Sequence, residues 1–285
     1  MTLLNTFKTY IILSRPKQWL KNILLLFPPF FGGKIIGNSI FEHAAPALIS
    51  FSLAASCSYI INDISDRDAD KNHSTKKNRA IARGDVAVWH ASILATVLYV
   101  AAMLFASAVS ERFEAVIVIY LSISLLYTFY FKHLVIVDIF FVSFGFLLRV
   151  LAGGEAFQTT ISSWLFLTVF IVSLFLASGK RLAELITLGE NAHKHRKSLT
   201  HYSSSYLEGI LWFSSAAALV TYALYTLERQ NALLYTVPLV AFGLLRYIYI
   251  VKQGNGDPTD ALVKDKQIML TGIVWVMMIT ITIYK

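Results

Sequence analysis

Apolar residues form long runs along this chain, and polar residues collect in the short segments between the runs. A helix needs about 20 predominantly apolar residues to cross the hydrocarbon core of a bilayer. The pattern predicts nine such helices, at residues 20–37, 44–61, 89–109, 114–131, 134–153, 161–178, 206–226, 232–251 and 267–284. Pro28 and Pro29 interrupt the first run, which is tolerated in membranes where protein covers the freed backbone groups. We therefore expect an all-α integral membrane protein with about nine transmembrane helices and a single domain, residues 1–285.

The composition agrees with this class. Of the 285 residues, 56% are hydrophobic and 15% are charged, and the mean hydropathy is +0.61, whereas soluble domains carry about 25% charged residues. No small-residue cleavage site follows the first apolar run, so we expect no removable signal peptide. Cys57 is the single cysteine of the sequence and lies between Ser56 and Ser58. This setting indicates helix packing and excludes an internal disulfide.

The net charge of +8 is unevenly distributed along the chain. If the N-terminus is cytoplasmic, most of the 25 Lys and Arg residues fall in segments on the inner side of the membrane. Cytoplasmic segments carry such an excess, and basic loops beside an anionic leaflet account for the charge without nucleic acid. We therefore expect a multi-pass protein of the cell (inner) membrane with a cytoplasmic N-terminus and no nucleic-acid partner.

An acidic ladder follows the second apolar run. Asp63, Asp66 and Asp70 stand at i, i+3 and i+7, so they would share one face of a helix, with Asn62 beside them. Like charges at this spacing repel unless a cation lies among them. Carboxylate and amide oxygens suit Mg²⁺ that also bridges substrate phosphates. Spacing alone leaves two interpretations, a metal site or a solvated acidic helix end paired with lysines downstream.

Basic residues follow the ladder in the same inner segment. Carboxylates for a cation, and Lys or Arg for the remaining oxygens, are what a metal-bound diphosphate requires. A loop that only fixes topology would explain the basic residues but not the acidic ones. The candidate phosphate ligands of this segment are Lys76, Lys77 and Arg79.

A second inner segment follows the sixth apolar run and contains Lys180, Arg181 and Glu184. Lys180 and Glu184 stand at i and i+4, so they could simply pair with one another. They could equally be a cation and a carboxylate directed at one phosphate–metal cluster. A further basic group downstream includes Arg196.

A third inner segment lies near the N-terminus, where Lys17 and Lys21 flank Trp19. Pro16 favours a helix that begins there, and on an α-helix both lysines would share a face. Trp surrounded by Lys and Arg is a common interfacial anchor. The same group lies at the depth of a lipid phosphate, so both interpretations stay open.

Ionisable residues also occur within the predicted spans. Asp138 and Arg149 fall in the fifth apolar run, and Tyr127 and Lys132 approach the same inner end from the fourth. Charged groups at such depth are costly and usually face a cavity of the bundle. Alternatively, Asp138 and Arg149 form internal pairs with other helices.

The aspartate motif, the basic loop and the nine apolar runs together resemble the UbiA superfamily of intramembrane prenyltransferases over essentially the whole chain. Further segments are similar to its decaprenyl-phosphate phosphoribosyltransferase branch. The segments that carry the resemblance are Asn62-Asp63-x-x-Asp66-x-x-x-Asp70, Arg15-Pro16-Lys17-Gln18-Trp19-Leu20-Lys21-Asn22, His73-x-x-Lys76-Lys77-x-Arg79-Ala80-Ile81-Ala82-x-Gly84 and Gly179-Lys180-Arg181-x-x-Glu184.

The resemblance implies a UbiA-like bundle whose active-site mouth is cytoplasmic. It implies transfer of 5-phosphoribosyl from phosphoribosyl diphosphate to a polyprenyl (decaprenyl) phosphate, with release of diphosphate, for arabinose-donor or cell-envelope glycolipid synthesis. Asn62, Asp63, Asp66 and Asp70 would hold Mg²⁺ as cofactor, and the three aspartates would be the catalytic residues. The implied substrate-binding residues are Lys17, Lys21, Asn62, Lys76, Lys77, Arg79, Tyr127, Lys132, Asp138, Lys180, Arg181, Glu184 and Arg196.

Two other functions remain open. A UbiA-type prenyltransferase would move a polyprenyl group from its diphosphate to an aromatic acceptor, and typical members carry a second aspartate-rich motif after the sixth span. Here Lys180 stands where the first Asp of that motif would be. A transporter or scaffold would place charges toward both faces, whereas here they collect at the inner ends. The lipid chain length and the oligomeric state, including a homo-oligomer, stay open.

Overall fold

The computed structural model describes residues 3–35, 39–71, 76–189, 199 and 201–285, and every regular element within these ranges is a helix. The α-helices are α1 (Leu3–Leu13), α2 (Phe27–Phe31), α3 (Ser39–Ser65), α4 (Arg67–Lys71), α5 (Ala80–Arg83), α6 (Val88–Ser107), α7 (Glu111–Phe129), α8 (Val137–Ala156), α9 (Ser163–Leu188), α10 (Ser204–Arg229), α11 (Val237–Lys252), α12 (Pro258–Lys264) and α13 (Lys266–Tyr284). The 3₁₀ helices are Pro16–Leu26, Lys76–Asn78, Phe131–His133 and Asn231–Thr236.

Within the described ranges, eight helical segments are long and apolar enough to cross a membrane. They are His43–Ser65, Val88–Ser107, Glu111–Phe129, Val137–Ala156, Ser163–Leu188, Ser204–Arg229, Asn231–Lys252 and Lys266–Tyr284. Each overlaps one of the predicted runs, so the all-α class is confirmed. Large apolar side chains along these helices point outward, as lipid contact requires, among them Leu104, Phe213, Leu270 and Met277.

The first predicted run, 20–37, differs from the other eight. Its described part, which ends at residue 35, contains most of the 3₁₀ helix Pro16–Leu26 followed by the five-residue α2. Pro28 and Pro29 provide no backbone N–H, so they are accommodated only at the start of α2. Gly32 and Gly33 then end the helix, with Gly33 at a positive φ of 72°.

Serine and aspartate side chains fix where several long helices begin. The hydroxyls of Ser110, Ser162 and Ser203 each accept a hydrogen bond from the backbone N–H three residues on, at the starts of α7, α9 and α10. Asp265 does the same for α13. These N-caps satisfy backbone donors that have no partner within the helix.

The chain forms two compact units. The first comprises Met1–Lys132 and Leu148–Thr160, and the second comprises His133–Leu147 and Ile161–Lys285. In the first unit α3 packs closely on α6 through small side chains, which lets the two backbones approach one another. The second unit is centred on the pairing of α9 with α10. The prediction of a single domain stays a prediction.

Candidate active site

The acidic ladder spans the end of α3 and the start of α4. Asp66 lies between the two helices, and its backbone N–H donates to the Asn62 carbonyl over 2.9 Å. The Asp70 N–H in turn donates to the Asp66 carbonyl over 2.8 Å. Helical hydrogen bonding therefore continues across the junction. Asp63 and Asp70 are buried, while Asp66 is half-buried.

Two arginines pair with the buried aspartates. Arg15 lies 2.5 Å from Asp63, and Arg79 lies 3.0 Å from Asp63 and 2.7 Å from Asp70. Arg79 therefore bridges two carboxylates that would otherwise repel each other. Burial raises the pKa of the Asp70 carboxyl above its ordinary value, while the Arg79 guanidinium acts in the opposite direction. Buried carboxylates need such partners, because an unpaired buried charge is strongly destabilising.

The central aspartate has a different set of partners. Lys132 forms an ion pair with Oδ1 of Asp66, and Asn62 Nδ2 donates to its Oδ2 over 3.0 Å. The Thr128 hydroxyl at the end of α7 donates to the side-chain oxygen Oδ1 of Asn62 over 3.5 Å. Lys132 follows Asp66 by 66 positions, and the sequence analysis did not predict this pair; the substrate-binding role of Lys132 stays a prediction.

The ladder residues fit a magnesium ion in their chemistry. Three carboxylates and one carboxamide are hard oxygen ligands, and Mg²⁺ usually binds through one or two carboxylates together with substrate phosphates. Among the described residues, no group of three or more His, Cys, Asp or Glu side chains is arranged to hold a metal ion by itself. The carboxylates instead contact Arg15, Arg79 and Lys132. The metal role stays a prediction.

Arg15 was not among the predicted ligands, although it begins the N-terminal motif. Its backbone is left-handed, with φ 51° and ψ 57°, which is uncommon for a residue other than glycine. Its guanidinium also lies over the ring of Tyr59, 5.3 Å from the centroid. The only sequence signal was a basic residue before Pro16, which also fits a topology signal.

A helix begins at Pro16 as predicted, but it is a 3₁₀ helix, and it is not the first helix of the chain, since α1 precedes it. Side chains at i and i+3 are eclipsed in this helix, so residues at i and i+4 lie on different faces. Lys17 is exposed, as are Leu20 and Ile23, whereas Lys21 is half-buried. The expectation that Lys17 and Lys21 share a face is therefore wrong.

Three other predicted ligands belong to the first unit, and a fourth, Arg196, belongs to a later part of the chain. Lys76 is half-buried and Lys77 is exposed in the 3₁₀ turn directly before Arg79. Tyr127 is half-buried near the end of α7. Arg196 lies outside the residues that the structure describes.

In the second unit, Asp138 is the centre of a buried polar cluster. Asp138 is fully buried and accepts hydrogen bonds from Arg181 Nε and the Tyr202 hydroxyl, each over 2.8 Å. Arg181 also donates to Glu184 over 2.9 Å. Burial, reinforced by the Asp138 carboxylate, raises the pKa of the Tyr202 hydroxyl. The structure thus favours the internal pair for Asp138, one of the two alternatives the sequence left open.

Lys180 pairs with Asp257 over 3.1 Å, whereas Glu184 contacts Arg181. Asp257 was missed by the sequence analysis, because Asp before Pro258 indicates only a helix cap. That cap does form, with Oδ1 accepting the Thr259 N–H over 3.0 Å. Lys180 is 43% exposed, so its ammonium group remains accessible to a ligand.

Glycines let the loop that carries Asp257 lie directly against α9. A Cβ on Gly256 would lie 2.4 Å from the Ala183 side chain and 2.7 Å from the Gly179 carbonyl oxygen. Tyr247 donates to the Gly256 carbonyl over 2.9 Å and fixes the loop from the other side. The position of Asp257 beside Lys180 is thus set by close backbone packing.

Comparison with known proteins adds independent evidence on the family to which the chain belongs. Residues 26–273 match the model of the UbiA prenyltransferase family. The chain is 36% identical to the decaprenyl-phosphate phosphoribosyltransferase of Mycolicibacterium smegmatis over 291 aligned positions, which cover 95% of this chain and 91% of that protein. It is also 36% identical to the Mycobacterium tuberculosis protein of the same name over 271 positions, covering 92% and 90% of the two chains.

A solved structure of a UbiA homolog from Archaeoglobus fulgidus, bound to DMAPP and Mg²⁺, has the same fold. Its TM-score against this chain is 0.76, at 19% sequence identity, and the match covers 97% of this chain and 99% of that one. Similarity at this level of identity shows the architecture alone.

Proposed function

The chain belongs to the UbiA prenyltransferase family, and we propose that it transfers 5-phosphoribosyl from phosphoribosyl diphosphate to a polyprenyl phosphate and releases diphosphate. The observation that carries this proposal is the 36% identity, over 95% of the chain, to a protein named decaprenyl-phosphate phosphoribosyltransferase. Decaprenyl phosphate is accordingly the acceptor we propose. The ladder aspartates and their basic partners Arg15, Arg79 and Lys132 form the acid–base cluster of the first unit. This cluster supports the same function, because it offers carboxylates for a metal ion and basic groups for diphosphate oxygens.

The cluster is suited to an exchange of ionic partners. Arg15, Arg79 and Lys132 now neutralise the ladder carboxylates. In the donor complex these basic groups would bind diphosphate oxygens, while Asp63, Asp66 and Asp70 would hold the cation that accompanies the diphosphate. The pairing lost by each side chain is therefore regained from the ligand, so the buried charges stay compensated.

Mg²⁺, which the Archaeoglobus fulgidus structure of this fold contains, would stabilise negative charge on the departing diphosphate. Arg15, Arg79 and Lys132 reinforce this effect, because fixed cations directed at developing charge lower the barrier. Asn62 orients Asp66 through its amide group. These residues thus hold the donor and stabilise its leaving group.

The acceptor needs positioning more than activation. A lipid phosphate is already an anion at neutral pH, and its oxygen attacks C1 of the ribose as an oxocarbenium-like centre develops there. Two polyanionic substrates repel one another, so their approach requires fixed basic groups. We assign Lys17, Lys21 and Lys180 to phosphate binding in this way.

The cellular setting follows the same proposal. The protein is a multi-pass membrane protein. We place it in the inner membrane with a cytoplasmic N-terminus, because the phosphoribosyl donor is water-soluble whereas the acceptor is a lipid. The product is a polyprenyl phosphoribose phosphate that enters arabinose-donor or cell-envelope glycolipid synthesis.

The direct test is incubation of the purified protein with labelled phosphoribosyl diphosphate, Mg²⁺ and decaprenyl phosphate, followed by extraction of labelled lipid. We expect labelled lipid with this pair. A parallel incubation supplies DMAPP or a longer allylic diphosphate with an aromatic acceptor. Prenylated aromatic product, without labelled lipid in the first incubation, would overturn the proposal in favour of a prenyltransferase.

A further inference from the structure

The 3₁₀ helix Pro16–Leu26 is unusually long for its type. It has eleven residues, whereas 3₁₀ runs beyond three or four are uncommon because their side chains eclipse and their hydrogen bonds are poorer. Contacts from outside the segment must therefore stabilise it. The residues that make these contacts are Trp19, Asn22 and Leu25, spaced three apart and so on one face of the helix.

Residues on this face of the 3₁₀ helix have the same spacing along the axis as residues four apart on α3. Three residues of a 3₁₀ helix and four residues of an α-helix each rise by about 6 Å. Trp19 Nε1 donates to Ser56 Oγ over 2.9 Å, and Asn22 Nδ2 donates to Ser52 Oγ over 2.9 Å. Ser52 and Ser56 are four residues apart on α3, so both bonds form in register. An α-helical N-terminal segment would lose this register.

The same face also has the spacing of residues four apart on α8. Arg149 Nε donates to the side-chain oxygen of Asn22 over 2.9 Å. One turn later, a Cβ on Gly153 would lie 2.0 Å from the Leu25 carbonyl oxygen. Arg149 and Gly153 are again four residues apart, so the 3₁₀ helix lies in register on two α-helices at once. Asn22 is 1% exposed and Arg149 is 4% exposed, so both are buried in the junction that the 3₁₀ helix forms with α3 and α8.

The junction leads directly to the acid–base cluster. Ser56 Oγ donates to the Ser14 carbonyl oxygen over 2.7 Å and so holds the residue that precedes Arg15. Arg15 has a left-handed backbone, which for such a residue persists only where surrounding contacts enforce it. From this backbone its guanidinium reaches Asp63 at 2.5 Å.

We propose that Asn22 and Arg149 are positioning residues, which hold the 3₁₀ helix in register and thereby place the Arg15 guanidinium on Asp63. The inference rests on the proposed function, in which Arg15 and Asp63 bind the metal-bound diphosphate of the donor. Asn22 and Arg149 act through Arg15 and contact neither substrate.

Double-mutant cycles test this coupling. Asn22→Ala and Arg149→Lys are each combined with Arg15→Gln, and kcat and the KM for phosphoribosyl diphosphate are measured. We expect each single substitution to lower kcat/KM at least tenfold in the wild-type background and less than twofold in the Arg15→Gln background. Effects that simply multiply would show that the two residues act independently of Arg15 and would overturn the inference.

Gly153→Ala provides a variant that removes no polar group. Its added methyl must displace the 3₁₀ helix, so we expect it to reproduce the kinetics of Asn22→Ala. Gly243→Ala in α11 is the matched control, because a Cβ there meets no atom within 4 Å. Unchanged turnover in Gly153→Ala protein would contradict the inference.

The same cycles, followed by thermal unfolding in detergent, separate this inference from the proposed function. If the wild-type protein shows no phosphoribosyl transfer, the proposed function fails, and the melting temperatures alone decide the inference. A shift caused by Asn22→Ala that is smaller in the Arg15→Gln background than in the wild type would support it, because only the lost bonds to Ser52 and Arg149 then remain. Additive shifts would refute it.

Discussion

Arg79→Ala should destabilise the protein by leaving a buried carboxylate without its arginine. Arg79 bridges Asp63 and Asp70, whose side chains are 4% exposed, and it is itself 24% exposed. Removing one partner of a buried ion pair costs about 3–5 kcal/mol. Arg79 is partly exposed to solvent, and Asp63 keeps its pair with Arg15. We therefore expect the free energy of unfolding to fall by about 2–3 kcal/mol. That loss corresponds to a fall of roughly 5–10 °C in apparent melting temperature.

The pH dependence of this loss has a definite sign. Burial already raises the pKa of Asp70, and Arg79 is the main group that lowers it. In Arg79→Ala protein the folded-state pKa therefore rises further above the unfolded one. A raised carboxyl pKa destabilises the folded state above that pKa, and the penalty fades as the carboxyl is protonated. We expect a smaller difference in melting temperature at about pH 5 than at about pH 7.5.

Adding Asp70→Asn to Arg79→Ala should recover half or more of the lost stability, because the uncompensated charge is removed. Phosphoribosyl transfer should stay absent in both variants. The assay is thermal unfolding of detergent-solubilised protein, with Lys71→Ala as control, since the Lys71–Asp68 pair is exposed and should contribute under about 1 kcal/mol. A melting temperature for Arg79→Ala equal to that of the wild type, or no recovery in the double variant, would refute this reasoning.

Three further substitutions test the site. Asp66→Asn should reduce turnover by orders of magnitude without unfolding the protein, and EDTA should mimic it, whereas Asp68→Asn, outside the ladder, should leave turnover unchanged; EDTA resistance would contradict the metal role. Lys180→Ala should weaken turnover strongly if Lys180 binds phosphate, whereas loss of its pair with Asp257 alone should cost under about 1 kcal/mol of stability and no activity. Lys17→Ala should raise the KM for polyprenyl phosphate more than the KM for phosphoribosyl diphosphate, and equal increases would mean a shared phosphate cluster.

The membrane helices could be predicted from the sequence because a bilayer imposes one length and one polarity on every span. Eight of the predicted runs coincide with helices of the described chain. The acidic ladder could be predicted for a similar reason, since its spacing is local and helical hydrogen bonds preserve it from Asn62 to Asp70.

Only the tertiary structure decided which charges meet. Arg15 and Asp63 are 48 positions apart, and Lys180 and Asp257 are 77 apart. No local rule relates such residues, because their contact depends on how separate helices pack. Lys180 and Glu184 have the spacing of a helical pair, yet Lys180 pairs with Asp257 and Glu184 pairs with Arg181. Asp138 likewise became an internal partner of Arg181 once α8 and α9 were in place.

The type of helix that the N-terminal motif forms also depends on tertiary contacts. The sequence determined its start at Pro16, since proline favours the first helical position. It did not determine a 3₁₀ helix, because that geometry is intrinsically poor and is stabilised here by matching contacts with α3 and α8. The sequence thus established the spans and the positions of the charged groups, while packing between distant helices established their partners.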